Sequence, residues 1–320
     1  MHEFQLIQQL KQKQYRQASL IKGVGDDAAV FRTNDDIITA VDTFVEGIHF
    51  SKKTMSYYHV GYRALAANIS DMAAMGAKPA YYLVSIVIPN DMVESDVHTL
   101  YDGMKALADE YKMDLIGGDT VSGEHLTISV TIIGMVAKNK ARYRHDVRVG
   151  DIVFTTGTLG DASCGLHLLL EEMDAIDRAY FIQRHRMPTP RVAFAQALQG
   201  IKRVSLNDIS DGIASELHEI AVASKVAIEI DDINIPLHPS MTQFPQEMQH
   251  QWKYFGGEDF ELVGTIEEHS VDILKEAAKV TNTKISIIGK VLPYESGHSV
   301  YMKQDGRSVP LPKDGYVHLK

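Results

Sequence analysis

Sulfur chemistry is almost missing from this sequence: of 320 residues, one is a cysteine, Cys164. A lone thiol excludes a disulfide frame and a cysteine-built zinc site within one chain. It fits a reducing, cytoplasmic compartment. Long apolar runs are missing as well. Nowhere do about 18 apolar residues follow one another, so no membrane span is expected. The opening residues, MHEFQLIQQLKQKQYRQ, put Phe4, Ile7 and Leu10 on one helical stripe, without the roughly 7–15-residue apolar core of a signal peptide. Positive charge is the minority sign, with 32 Lys and Arg against 42 Asp and Glu and a formal net charge of −10. An acidic surface repels nucleic acid and polyphosphate, so no nucleic-acid partner is expected. The basic stretch 138–148 then reads as a solvated linker. An anionic ligand would need local neutralisation, for which a divalent cation is the natural candidate.

Familiar nucleotide motifs are absent too. There is no G-x-x-x-x-G-K-[ST] loop. Gly23 and Gly25 begin a G-x-G, but Ala28 stands where the third glycine of a dinucleotide fingerprint belongs. The H-R-D and D-F-G pair of protein kinases is missing, as are G-x-S-x-G and H-E-x-x-H.

What is present is an alternation of strands and helices. Residues 37–42 read as a buried strand, 57–75 as a helix, 81–88 as a second apolar strand stopped by Pro89, and 93–111 as a helix with one apolar face. A short strand ending in Gly117-Gly118-Asp119 and a long strand over 125–137 follow. The polar run 138–150 reads as a boundary, giving domains 1–140 and 141–320. The second half reads as strands near 151–155, 203–209, 226–231, 284–291 and 299–303, with one more after Gly256-Gly257. Helices are expected at 161–172, after Pro190, between the strands at 203–209 and 226–231, and near 269–279. Two α/β domains, each with its own sheet, are expected.

Aspartates recur beside glycines where strands and helices meet: Gly25-Asp26-Asp27, Asp42-Thr43 before Gly47 and His49, Gly118-Asp119-Thr120, Asp208-Ile209-Ser210-Asp211-Gly212, and Gly256-Gly257-Glu258-Asp259. Asn68 and Asp71 share a helix face at i, i+3. Mg²⁺ takes oxygen ligands and is held by one or two carboxylates together with substrate phosphates. Glycines let backbone N–H groups approach phosphate oxygens. The same residues also fit plain turn chemistry, and Asp71 or Asp211 fit helix N-caps. An unpartnered carboxylate at Asp71, inside an Ala/Ile/Met-rich segment, would be costly. His49 alone reads equally as a structural or surface histidine.

In order, the segments GVGDDAA (23–29), VDTFVEGIHF (41–50), ANISDMAAMGAKP (67–79), GGDT (117–120), DISDG (208–212) and GGEDFEL (256–262) resemble the thiamine-monophosphate kinase family over nearly the whole chain. The resemblance implies two α/β domains of the aminoimidazole-ribonucleotide-synthetase type. The N-terminal domain would bind ATP and Mg²⁺ and pair into a homodimer through a shared β-barrel. The C-terminal domain would carry a mixed sheet with helices. It implies transfer of the ATP γ-phosphate to thiamine monophosphate. Asp27, Asp42, Thr43, Asp71, Asp119, Asp208 and Asp211 are implied to hold several Mg²⁺ ions, with Asp42, Asp71, Asp119 and Asp211 acting in catalysis. Gly118, Asp119, Arg144 and Ser210 are implied to contact ATP, and His49 and Glu258 to face thiamine phosphate. The family's tryptophan just before the C-terminal G-Y is missing here, which leaves Tyr316 as its substitute. Other ATP enzymes of the superfamily, such as selenophosphate or aminoimidazole-ribonucleotide synthetase, and a non-catalytic nucleotide or metal sensor are the alternatives. No reactive N-terminal or C-terminal cysteine is present to support selenophosphate synthesis or hydrogenase maturation.

Overall fold

The computed structural model describes residues 3–25, 27–295, 297–304 and 306–315. It divides into two units, Met1–Met72 with Ala77–Ala141, and Ala73–Gly76 with Arg142–Lys320. Both are mixed α/β.

The first unit runs α1 (Glu3–Leu10), β1 (Leu20–Lys22), β2 (Val30–Phe31), β3 (Asp36–Val45), α2 (Tyr57–Ala74), β4 (Lys78–Pro89), α3 (Glu94–Tyr111), β5 (Asp114–Gly123) and β6 (Thr127–Val136). Its four-stranded sheet has the order β3-β6-β4-β5, with β4 and β5 parallel and the other pairs antiparallel. The sheet is open, and no closed barrel forms among the described residues. Alternation sorts the side chains. On β6 every even position from Ile128 to Val136 is buried, and α2 covers that face, Met72 standing where a side chain at Gly134 would go. The odd face is covered at one end by β1 and β2, where Phe31 meets Tyr81 at 5.0 Å between ring centroids. Elsewhere it is open, with Ile37 52% and Val41 60% exposed.

Helices α2 and α3 touch backbone to backbone. A Cβ on Gly61 would meet the Leu100 carbonyl oxygen at 1.9 Å, and one on Gly103 would meet the Tyr58 carbonyl oxygen at 1.9 Å. Both positions exclude any side chain.

The second unit runs β7 (Ile152–Thr156), α4 (Asp161–Leu170), α5 (Arg178–Arg186), α6 (Val192–Ala197), β8 (Val204–Asp208), α7 (Ile213–Ser224), β9 (Val226–Asp231), α8 (Gln246–Phe255), β10 (Leu262–Ile266), α9 (Val271–Val280), β11 (Ile285–Pro293), β12 (Val300–Gln304) and β13 (Arg307–Pro310). The seven-stranded sheet has the order β13-β12-β9-β11-β7-β10-β8, antiparallel except for β12 beside β9. Ile213, Leu217 and Ile220 of α7 pack on Val153, Ile228, Val263 and Ile288 of the sheet. A separate cluster of Cys164, Leu168, Phe181, Phe244 and Trp252 joins α4, α5 and α8.

Two expected strand ends move. β3 does not stop at Asp42 but runs on to Val45, and β5 does not stop at Gly117–Asp119 but passes through them to Gly123. In both cases pairing with a neighbouring strand carries the chain past its turn-like residues.

Candidate functional site

In the first unit a pocket of about 120 Å³ opens on the free edge of β5. Gly117, Gly118, Asp119 and Thr120 form one wall, Val24 of the GVGD segment another, and Ile7, Leu10 and Lys11 of the α1 region a third, with Tyr101 of α3 and Val84 beneath. One of these glycines is required. Gly118 has φ +156, and a Cβ there would meet the Val84 carbonyl oxygen at 2.1 Å. Asp114, at the start of β5, is fully buried. Its carboxylate accepts from the Arg16 amide at 2.8 Å, the Gln17 amide at 2.7 Å and Gln12 Nε2 at 2.6 Å. These bonds tie the segment after α1 to the start of β5. Lys11, half-buried, lines the same pocket and comes so close to Gly25 that a Cβ there would lie 2.7 Å from Nζ. Sequence reasoning missed Lys11, since no local pattern singles it out.

The expected carboxylates spread over this sheet. Asp119 shares a register row with Ser85, Ser129 and Thr43, and Thr43 Oγ1 lies 2.7 Å from Ser129 Oγ. Asp42 shares the next row with Val130, Val84 and Gly118. β3 and β5 are the two sheet edges, three inter-strand steps or roughly 14 Å apart. One Mg²⁺, with ligands at about 2.1 Å, cannot take both Asp42 and Asp119 of one chain. His49 closes the end of β3, its Nδ1 accepting from the Val45 amide at 3.1 Å and its ring 5.3 Å from Phe44. Asp27 is exposed. Asp71 is half-buried in the last turn of α2, so it is not an N-cap. The negative end of the helix dipole disfavours a carboxylate there, which is the environment a bound cation would relieve.

In the second unit the DISDG segment joins β8 to α7. Asp208 is buried at the end of β8. Buried Glu216 of α7 accepts from the Asp211 amide at 3.2 Å, from Ser210 Oγ at 3.4 Å and from Asn207 Nδ2. Burial and then the Asp208 charge push the Glu216 carboxyl up to about 8. Asp208 and Asp211 both act on Glu216 through their charge, and all three offer oxygen donors. Among the described residues no three His, Cys, Asp or Glu form a group that could hold a metal ion, so substrate phosphates would have to complete any cation's shell here. Glu216 was also missed, although D-x-x-D-x-x-x-x-E from Asp208 is a readable spacing. Arg144 is oriented by Asn207, which accepts from its Nε at 2.9 Å, and lies 3.8 Å from Glu219. The Glu258 amide donates to the Ser210 carbonyl at 2.6 Å, bringing Glu258, Ser210 and Asp211 together. Gly315 packs on the Asp211 carbonyl. Tyr316 lies outside the described residues.

This pairing of an open four-stranded sheet edged by glycines with carboxylate turns has a counterpart. Residues 25–136 match the model of AIR synthase related protein, N-terminal domain. The whole chain is 42% identical over 327 residues to the thiamine-monophosphate kinase of Bacillus subtilis (strain 168), covering 100% of both. The crystal structure of thiamine-monophosphate kinase from Stenotrophomonas maltophilia K279a superposes with a TM-score of 0.85 at 31% identity, over 97% of this chain and 98% of that one. AaThiL complexed with AMPPCP and TMP follows with a TM-score of 0.77 at 29% identity, over 99% and 96%. The chain belongs to the thiamine-monophosphate kinase family.

Proposed function

We propose that the chain transfers the γ-phosphate of ATP to thiamine monophosphate, giving thiamine diphosphate and ADP. The observation that carries this is the pocket that Lys11 and Gly117–Thr120 line together. Family membership and the relative solved with AMPPCP and TMP support it. In the first unit, glycine N–H groups and the Lys11 ammonium bind phosphate oxygens, and the apolar side chains of Ile7, Leu10 and Tyr101 pack on the rest of the nucleotide. In the second unit, Arg144 and Ser210 contact ATP, and Glu258 faces thiamine phosphate, as His49 does in the first.

Asp27, Asp42, Thr43, Asp71, Asp119, Asp208 and Asp211 are the proposed Mg²⁺ ligands. Bound Mg²⁺ would supply charge stabilisation to the transferring phosphoryl group. The ions are distributed, because Asp42 and Asp119 of one chain are too far apart to share one.

The acceptor is a phosphate monoester, mostly dianionic near pH 7 since its second pKa is about 6, so transfer needs no general base. It is direct and in line. Cys164 is fully buried and burial pushes its thiol up to about 12, which removes it as a nucleophile. We also propose the division into domains 1–140 and 141–320, a cytoplasmic location, and a homodimer through the open sheet face. The exposed Ile37, Val41 and Val121 support a covered face there. Incubation with ATP, Mg²⁺ and thiamine monophosphate, followed by chromatography for ADP and thiamine diphosphate, tests the reaction. ADP without thiamine diphosphate would refute it.

A further inference from the structure

The turn before β10 is built against local preference. Glu258 has φ +66 and Phe260 φ +49, a region that non-glycine residues keep only where surrounding structure holds them. The residues on either side of Phe260 show what holds them. Asp259 is buried, and its carboxylate accepts from the Gly160 amide at 2.6 Å and the Ala162 amide at 3.0 Å, at the start of α4. Glu261 is fully buried and accepts from Thr156 Oγ1 at 2.6 Å, from Arg184 at 2.7 Å, and from Arg191 through two nitrogens at 2.5 and 2.6 Å. Arg184 also donates to the Asp259 carbonyl at 3.1 Å. Although burial alone would raise Glu261, Arg191 and Arg184 keep it below the usual carboxylate range.

None of these four buried groups belongs to the proposed binding set, yet the turn they clamp presents Glu258. The turn's other side is bonded to the DISDG segment, by the Glu258 amide to Ser210 and the Phe260 amide to Ile209 at 3.0 Å. A buried ionic network is a poor source of stability, because an apolar core of the same volume does as well or better. What fork-shaped guanidinium bonds offer instead is direction.

We propose that Arg184, Arg191, Asp259 and Glu261 are positioning residues that aim the Glu258 carboxylate at the thiamine-phosphate acceptor. This rests on the reading of Glu258 as an acceptor-side residue. The network should therefore govern acceptor recognition and leave ATP recognition nearly untouched.

The test is a cycle of Arg191→Lys, Glu258→Gln and the double variant, with KM measured for each substrate. Arg191→Lys is expected to raise KM for thiamine monophosphate at least ten-fold with KM for ATP within two-fold. Glu258→Gln should show the same split. The double variant should be no worse than Glu258→Gln alone within a factor of two, since effects through one residue do not add. Parallel rises for both substrates, unchanged constants, or multiplicative losses in the double variant would overturn the proposal. Arg191→Lys keeps a cation beside Glu261. If its melting curve shows an unfolded protein, the near-isosteric Asp259→Asn takes its place in the cycle. Should the wild-type chain form no thiamine diphosphate, the kinase reading itself fails. Calorimetric binding of thiamine monophosphate, which needs no turnover, then decides the positioning proposal separately through the same cycle.

Discussion

Replacing Lys11 with methionine tests the pocket most directly. Methionine keeps an apolar stem of similar length and removes only the ammonium. The Lys11 ammonium lies beside Gly25 and on the same pocket as Gly117–Thr120. A hydrogen bond to a charged group contributes about 1.5–3 kcal/mol, which corresponds to roughly 10–150-fold in affinity at 1.36 kcal/mol per decade. Lys11 is half-buried, and solvent screens part of that, so the lower part of the range applies: roughly 10–30-fold in KM for ATP. The bond exists in the ground state as well as the transition state, so kcat should stay within about three-fold. Lys11→Arg should recover most of the loss. Coupled ADP-release kinetics and calorimetry with a non-hydrolysable ATP analogue read the effect, and rising salt should shrink the difference between wild type and variant. Unchanged ATP affinity in Lys11→Met, with the protein folded, would refute the assignment of this pocket to the triphosphate.

Asp71→Asn and Asp119→Asn should each lower turnover by roughly a thousand-fold or more while circular dichroism stays unchanged; near-normal rates at low Mg²⁺ would contradict the proposed ligand set. Thiamine monophosphate should outperform free thiamine by at least roughly 100-fold in kcat/KM, because the alcohol would need a base that the phosphate does not; equal rates would count against direct transfer to a dianion. A γ-phosphate chiral in its oxygen isotopes should be transferred with inversion, and retention would indicate a covalent intermediate. Burial and then the charge of Asp161 push Asp259 up to about 8. Between about pH 4 and 8 the folded chain therefore holds a proton that the unfolded chain has lost, and stability falls as pH rises, by at most about 1.4 kcal/mol per unit. Asp259→Asn should accordingly gain on wild type between pH 5.5 and 7.5 in urea denaturation, and a constant difference would disprove the shift.

Elements with a strong apolar period were legible from residues alone. β6 and α3 fall within two residues of the positions expected for them, because each buries one face and the pattern repeats over a long stretch. Where burial is sparse the signal fails. α5, RAYFIQRHR, buries only Phe181 and His185, and α8, QEMQHQWKYF, only Trp252 and Tyr254, so neither shows a stripe. The expected β5 is too short because Gly117-Gly118-Asp119 reads as a turn. Gly118 instead serves the close approach to Val84, which no local rule announces. The glycine–carboxylate segments of the site were visible as motifs, but their partners were not. Lys11 stands about a hundred residues from Gly118, and Arg184 and Arg191 pair with Glu261 across 77 and 70 residues. Nothing nearby in the chain encodes such pairings.

The double glycine contact between α2 and α3 also makes α2 a lever with a fixed fulcrum. Asp71 stands ten residues beyond Gly61, about 15 Å along the axis at 1.5 Å per residue. A methyl group at Gly61 or Gly103 would have to pry the helices apart at that pivot. A tilt of only about 10° there would carry the Asp71 carboxylate roughly 2.6 Å sideways, more than a whole Mg–oxygen bond length of about 2.1 Å. Two hydrogen atoms in place of two side chains thus set where the carboxylate proposed as a Mg²⁺ ligand stands.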